Sequence, residues 1–171
     1  VSNLAYRAYD PRTSIIAKIG YTYDVDRDGT DESCVTFSYP DGSNKGDTCY
    51  VPLFLPSECR TGELPYMPFI EVTLVDAPSR THNVTGDIKF NEAYMDFNIY
   101  VTNCDEINQI KTWMPACKNE LIDKITEKRH AVSSCTWMEA NDTGREIIEN
   151  IGKKVIFHHV ISVYANEHDS G

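Results

Sequence analysis

The 171-residue chain is short of positive charge: 26 acidic residues stand against 16 basic ones, for a formal net charge of -10. A surface of that sign repels phosphate backbones and anionic headgroups, which argues against nucleic acid and membrane surfaces as partners. Long apolar runs are missing as well. The longest are 51–55 and 155–164, the second broken by His158 and His159, and neither approaches the roughly 20 residues of a bilayer span. No C-x-x-C pair occurs, so zinc and thioredoxin-type redox chemistry lack their usual ligand spacing. There is no G-x-S-x-G, H-E-x-x-H, glycine-rich phosphate loop or dinucleotide fingerprint. Nothing in the sequence compels an enzyme.

Present instead is an ordinary globular balance, with 41% hydrophobic and 25% charged residues. That length and balance fit one domain with a sizeable core. An N-terminal arm over 1–12, a β-rich domain over 13–165 and a tail over 166–171 form the expected organisation. The chain opens on Val1-Ser2-Asn3 without a charged-then-apolar leader, so it reads as a mature secreted chain whose signal peptide has been removed.

Six cysteines, Cys34, Cys49, Cys59, Cys104, Cys117 and Cys135, are even in number, with no two closer than ten positions. Three disulfides in an oxidising compartment are expected from them. Six cysteines allow fifteen connectivities, and spacing alone chooses none. One pair has a local argument. Cys34 and Cys49 lie equally far from the turn residues Asp41-Gly42, so a regular hairpin would set them face to face. The turn-like group Asn44-Lys45-Gly46-Asp47 offers a competing register. Asn83-Val84-Thr85 and Asn141-Asp142-Thr143 match the N-glycosylation pattern in turn-like contexts, as befits a secreted glycoprotein.

Strands are expected over 13–23, 33–39, 48–54, 69–75, 84–90, 94–101 and 153–165, where β-branched and aromatic residues concentrate. Asn91-Glu92 reads as a hairpin turn between two of them. Prolines at 52, 56, 65 and 68 mark a covering loop. A helix is expected over 116–129, opened by Pro115, with Cys117, Leu121, Ile122 and Ile125 on one face. A second is expected over 143–151, stopped by Gly152. The fold class is therefore mostly β (α+β): an antiparallel barrel or sandwich of about 6–8 strands, with a helical insertion near 106–151.

Two segments look chemical. Asp24, Asp26, Asp28 and Glu32 alternate around Gly29, the way oxygen ligands wrap a calcium ion. The twelfth position of an EF-hand loop would be Val35, and flanking helices are lacking, so an EF-hand is excluded. A calcium loop and a plain acidic turn both stay open; no other cofactor is expected. His158 and His159 are adjacent in an expected strand, so they point to opposite faces and cannot share one site. Catalytic use of either would need an acid such as Glu71 or Asp96.

Ten tyrosines, among them Tyr21, Tyr23, Tyr50 and Tyr66, offer contact area with a polar handle. Tyr66 and Phe69, in the apolar, proline-punctuated loop, are the expected binding anchors. In size, cysteine number and lack of a catalytic signature the chain resembles secreted effectors and immune modulators of pathogens and parasites. Leu4-Ala5-Tyr6-Arg7 is similar to the L-x-x-R processing sites of some fungal effectors. The resemblance implies a toxin-like or virulence-type protein that works through contact with an extracellular protein partner rather than by catalysis. A β-barrel carrier of a small apolar ligand is the alternative, although the G-x-W of lipocalins is absent. A secreted hydrolase with dispersed site residues is the third reading.

Overall fold

A computed structural model describes residues 11–25, 27–40, 45–55, 68–76, 79–81, 89–102, 107–128, 135–151 and 154–169. Helix α1 spans Pro11–Ile19, with its proline at the first helical position where no N–H is needed. Ile15, Ile16 and Ile19 fall on one buried face. This corrects the strand expected from 13: three isoleucines at i, i+1 and i+4 satisfy a helix as well as their β propensity suits a strand. Gly20 ends α1 by donating its N–H to Ile16 O at 2.8 Å. A Cβ there would sit 2.6 Å from that carbonyl oxygen, so the turn into the next strand requires glycine.

The strands are β1 Tyr21–Tyr23, β2 Glu32–Ser38, β3 Thr48–Phe54, β4 Phe69–Asp76, β5 Ser79–Thr81, β6 Lys89–Thr102, β7 Cys135–Ile151 and β8 Lys154–Asp169. They form one sheet in the order β1-β2-β3-β4-β6-β8-β7, with β5 paired to β6. The pair β3–β4 is parallel, through Leu53↔Ile70 and Phe54↔Glu71, and the other pairs are antiparallel. The order does not return on itself. An open mixed sheet thus replaces the expected barrel or sandwich, and helices complete the core where a second sheet would have stood.

Helix α2 spans Ile107–Lys128, longer than expected, with Pro115 inside it rather than at its start. Its buried positions Trp113, Met114, Cys117, Leu121 and Ile125 recur at helical spacing and pack on the sheet. Burial of Trp113 and Met114 holds the turn preceding Pro115, which offsets the hydrogen bond the proline cannot donate. The sheet face beneath carries Val35, Phe37, Val51, Ile70, Phe97, Ile99, Ile161 and Val163, alternating along their strands.

Two further expectations are corrected. Asn91 and Glu92 lie inside β6, paired with Glu167 and Asn166 of β8, so no hairpin turn forms there. Residues 143–151 belong to strand β7 and not to a helix. Residues Glu146 to Ile151 pair along Lys154 to His159, and those ladder hydrogen bonds override a helix-compatible spacing of Ile147, Ile148 and Ile151. Among the described residues, no helix is long and apolar enough to cross a membrane.

Candidate functional site

The hairpin β2–β3 pairs Cys34 with Pro52 and Phe37 with Cys49. Tyr39 N–H donates to Asp47 O at 3.0 Å and Gly46 N–H to Tyr39 O at 3.1 Å, which shifts the register from the one expected by three residues. An odd shift turns a side chain to the other face. Cys49 joins Phe37 against α2, while Cys34 points to the outer face, so the two do not face each other as expected. Cys34, Cys49 and Cys117 are buried free thiols in this structure. Burial pushes the Cys34 thiol up to about 11, helped by Glu32 and Asp31. Burial likewise raises Cys49 and Cys117. None of these three is a thiolate nucleophile at neutral pH. Cys59, Cys104 and the Cys135 side chain lie outside the described residues.

His158 and His159 do point to opposite faces of β8, and both are buried. On the outer face, Asn98 Oδ1 is 2.8 Å from His158 Nε2. Asn98 Nδ2 donates to Glu71 O and Thr73 Oγ1 at 3.1 Å and to Asp96 O at 3.3 Å, leaving Oδ1 as the acceptor for His158. Burial lowers the His158 pKa, so the ring is held neutral with its proton on Nε2. The ring stacks on Tyr100 at 4.3 Å, Tyr100 on Phe69 at 4.9 Å, and Phe69 meets Phe54 at 6.1 Å. Phe69 is therefore 5% exposed, a link in a ring stack rather than a rim contact. Tyr66 lies outside the described residues.

On the helix side, His159 Nε2 is 2.7 Å from Asp142 Oδ1, and Lys118 Nζ of α2 is 2.8 Å from Asp142 Oδ2. Partial burial works to raise the Asp142 pKa. Hydrogen bonds from Lys118, Gly144 N–H and His159 outweigh it and hold the carboxyl well below the usual carboxylate range. An ionised carboxylate only accepts, so His159 Nε2 carries the proton. Asp142 reaches this position because β7 bulges between Asp142 and Glu146, with Gly144 at φ 67°. Neither Glu71 nor Asp96 lends a carboxylate to either histidine's hydrogen bonds. Sequence reasoning missed Asp142, Lys118 and Asn98; Asp142 was visible only as the middle of a glycosylation triplet. A cavity of about 270 Å³ adjoins this cluster, lined by Met114, Pro115, Lys118, Glu146, Ile147, Ile148, Phe157, His158 and His159.

In the acidic loop, ligand oxygens of Asp24, Asp28 and Glu32 lie within 4.8 Å of one another. Those carboxylates already serve the loop's own backbone. Asp24 Oδ1 accepts from Asp28 N–H at 3.1 Å and its Oδ2 from Gly29 N–H at 3.0 Å. Asp28 Oδ1 accepts from Thr30 N–H, and Glu32 Oε2 from Val25 N–H. Asp26 lies outside the described residues, and its neighbour Arg27 takes a left-handed φ of 61°.

Beside this loop, β1 forms one edge of the sheet. Tyr23 stacks on Tyr50 with centroids 4.0 Å apart and planes 8° from parallel, and Tyr21 lies 6.4 Å from Tyr50. Register places all three rings on the outer face, with Tyr21 opposite Cys34 and Tyr50 opposite Thr36. Asn141 is exposed on β7, and Asn83 lies outside the described residues. No known protein-family model matches the chain, and the curated proteins contain no significant match to it.

Proposed function

We propose that this is a secreted effector-type protein that acts by contact with an extracellular protein, through the tyrosine-lined edge at β1. The observation that carries this reading is the exposure of Tyr21 and Tyr23, 59% and 44%, on an edge strand beside Asp24, Asp28 and Asp31. Large aromatic rings left in water at a sheet edge are the residues that anchor interfaces. Flat tyrosine faces and neighbouring carboxylates together favour Arg and Lys: the rings attract the cation's face and the acids its charge. The partner is accordingly a protein with a basic, Arg- or Lys-bearing segment, which also suits the net charge of -10.

Secretion rests on the even cysteine count, the wide cysteine spacing and the two glycosylation triplets. Three disulfides in the mature protein belong to this reading, as do glycans at Asn83 and Asn141. Exposure of Asn141 leaves it accessible to the modifying enzyme.

The test is affinity capture from extracellular fluid by the full chain, followed by mass spectrometry and by binding measurements at two salt concentrations. A double substitution Tyr21→Ser and Tyr23→Ser should abolish capture while circular dichroism and melting stay unchanged. Binding should weaken as salt rises. Tyr66→Ala tests the proline-punctuated loop as a second contact. Retained capture by the tyrosine double variant, with loss in a folded His159→Ala variant, would overturn the contact reading in favour of a chemical site.

A further inference from the structure

Nδ1 of His159 is buried and has no hydrogen-bond partner. The ring is 2% exposed, and its other nitrogen is fixed on Asp142 at 2.7 Å. Glu146 Oε1 approaches Nδ1 only to 3.5 Å, and the Glu146 side chain is 72% exposed, so water competes for it. A buried polar atom left unpaired is destabilising, and a ligand group placed there would recover that loss. His159 and Glu146 both line the cavity of about 270 Å³, while Nδ1 itself is sealed from water, so a ligand group would reach it by displacing the exposed Glu146 side chain.

The walls decide what could enter. Met114, Ile148 and Phe157 present apolar surface, while Lys118 and Glu146 stand among the lining residues. Lys118 is neutralised by Asp142, so no free positive charge awaits an anion, and Glu146 repels one. A cation would find only the Glu146 carboxylate, which at 72% exposure is solvated and a weak partner. An uncharged ligand is left. Apolar cavities of about 150 Å³ take up benzene, so this volume admits a substituted ring. A hydroxyl fits His159 in either protonation state, since it donates to a bare Nδ1 and accepts from a protonated one.

We propose that the cavity between α2 and the β7–β8 pair is a binding site for a small, uncharged aromatic alcohol, whose hydroxyl bonds Nδ1 of His159 and whose ring lies on Met114 and Phe157. This site is separate from the tyrosine edge, and either reading stands if the other fails.

The experiment compares p-cresol with toluene, which has nearly the same shape and no hydroxyl, by calorimetry on the full chain. The p-cresol complex should be saturable and about tenfold tighter than the toluene complex, the worth of one buried hydrogen bond. In 15N-histidine spectra, the His159 Nδ1 resonance should move with p-cresol and stay put with toluene. A folded His159→Leu variant should bind the two equally. If that variant does not fold, the nitrogen resonance of the unmodified protein decides. Equal affinities in the unmodified protein, no saturable binding of p-cresol, an unmoved Nδ1 resonance, or tighter binding of p-toluate would each overturn the proposal.

Discussion

Cys34 and Cys49, on adjacent strands of one hairpin, project from opposite faces of the sheet: Cys49 shares the helix side with its register partner Phe37, and Cys34 turns outward to donate from Sγ to Tyr21 O at 2.9 Å. A bridge between them would require one strand to rotate and the core beneath α2 to open. Peptide mapping of the unreduced protein should therefore contain no Cys34–Cys49 peptide pair. Finding that pair as the major species would refute the register.

Asn98 is the hub of the outer-face polar network, with four hydrogen bonds through one buried amide. Asn98→Ala strands His158 Nε2 in the interior and should cost about 2–3 kcal/mol in urea unfolding. The histidine also sets a pH limit. Its folded pKa is depressed, so the stability it confers is complete above the unfolded value of about 6.5 and is lost as pH falls through the folded value. An NMR titration should place His158 below the ordinary histidine range; protonation near 6.5 would contradict its burial.

Asp142 ties α2 to the bulge of β7 through Lys118 and to β8 through His159. Asp142→Asn should cost about 1 kcal/mol at neutral pH, a modest figure because the side chain is partly solvated. A depressed carboxylate stabilises above its unfolded value and loses that stabilisation as pH falls through the folded one. The gap between native and variant stability should accordingly be constant at neutral pH and shrink below about pH 4. A gap independent of pH down to the acid transition would show that charge is not what Asp142 contributes.

The carboxylates of Asp24, Asp28 and Glu32 are engaged by the amides of Asp28, Gly29, Thr30 and Val25. With the loop closed on itself, melting curves in chelator and in excess calcium should coincide. A calcium-dependent rise in melting temperature would mean that the cation binds the folded state and that these oxygens are its ligands.

Strands β2, β3 and β4 were legible because their apolar positions alternate with period two, and that same period put His158 and His159 on opposite faces without any structure. The helix face of Cys117, Leu121 and Ile125 was legible for the matching reason, a period of 3.6. These are local properties, fixed by how each residue's side chain leaves its own backbone. Tertiary structure decided the rest. Ile15, Ile16 and Ile19 satisfy helix and strand alike, and only the core they meet selects the helix. Residues 146–151 take the strand because β8 offers a ladder. The hairpin register depends on which of two turn groups closes, and one odd step moves Cys34 from partner of Cys49 to the far face. Asp142 meets His159 only because a bulge re-aims β7 beneath Lys118. Contacts between positions far apart in the chain are energies of packing and hydrogen bonding between elements, and local pattern holds no record of them.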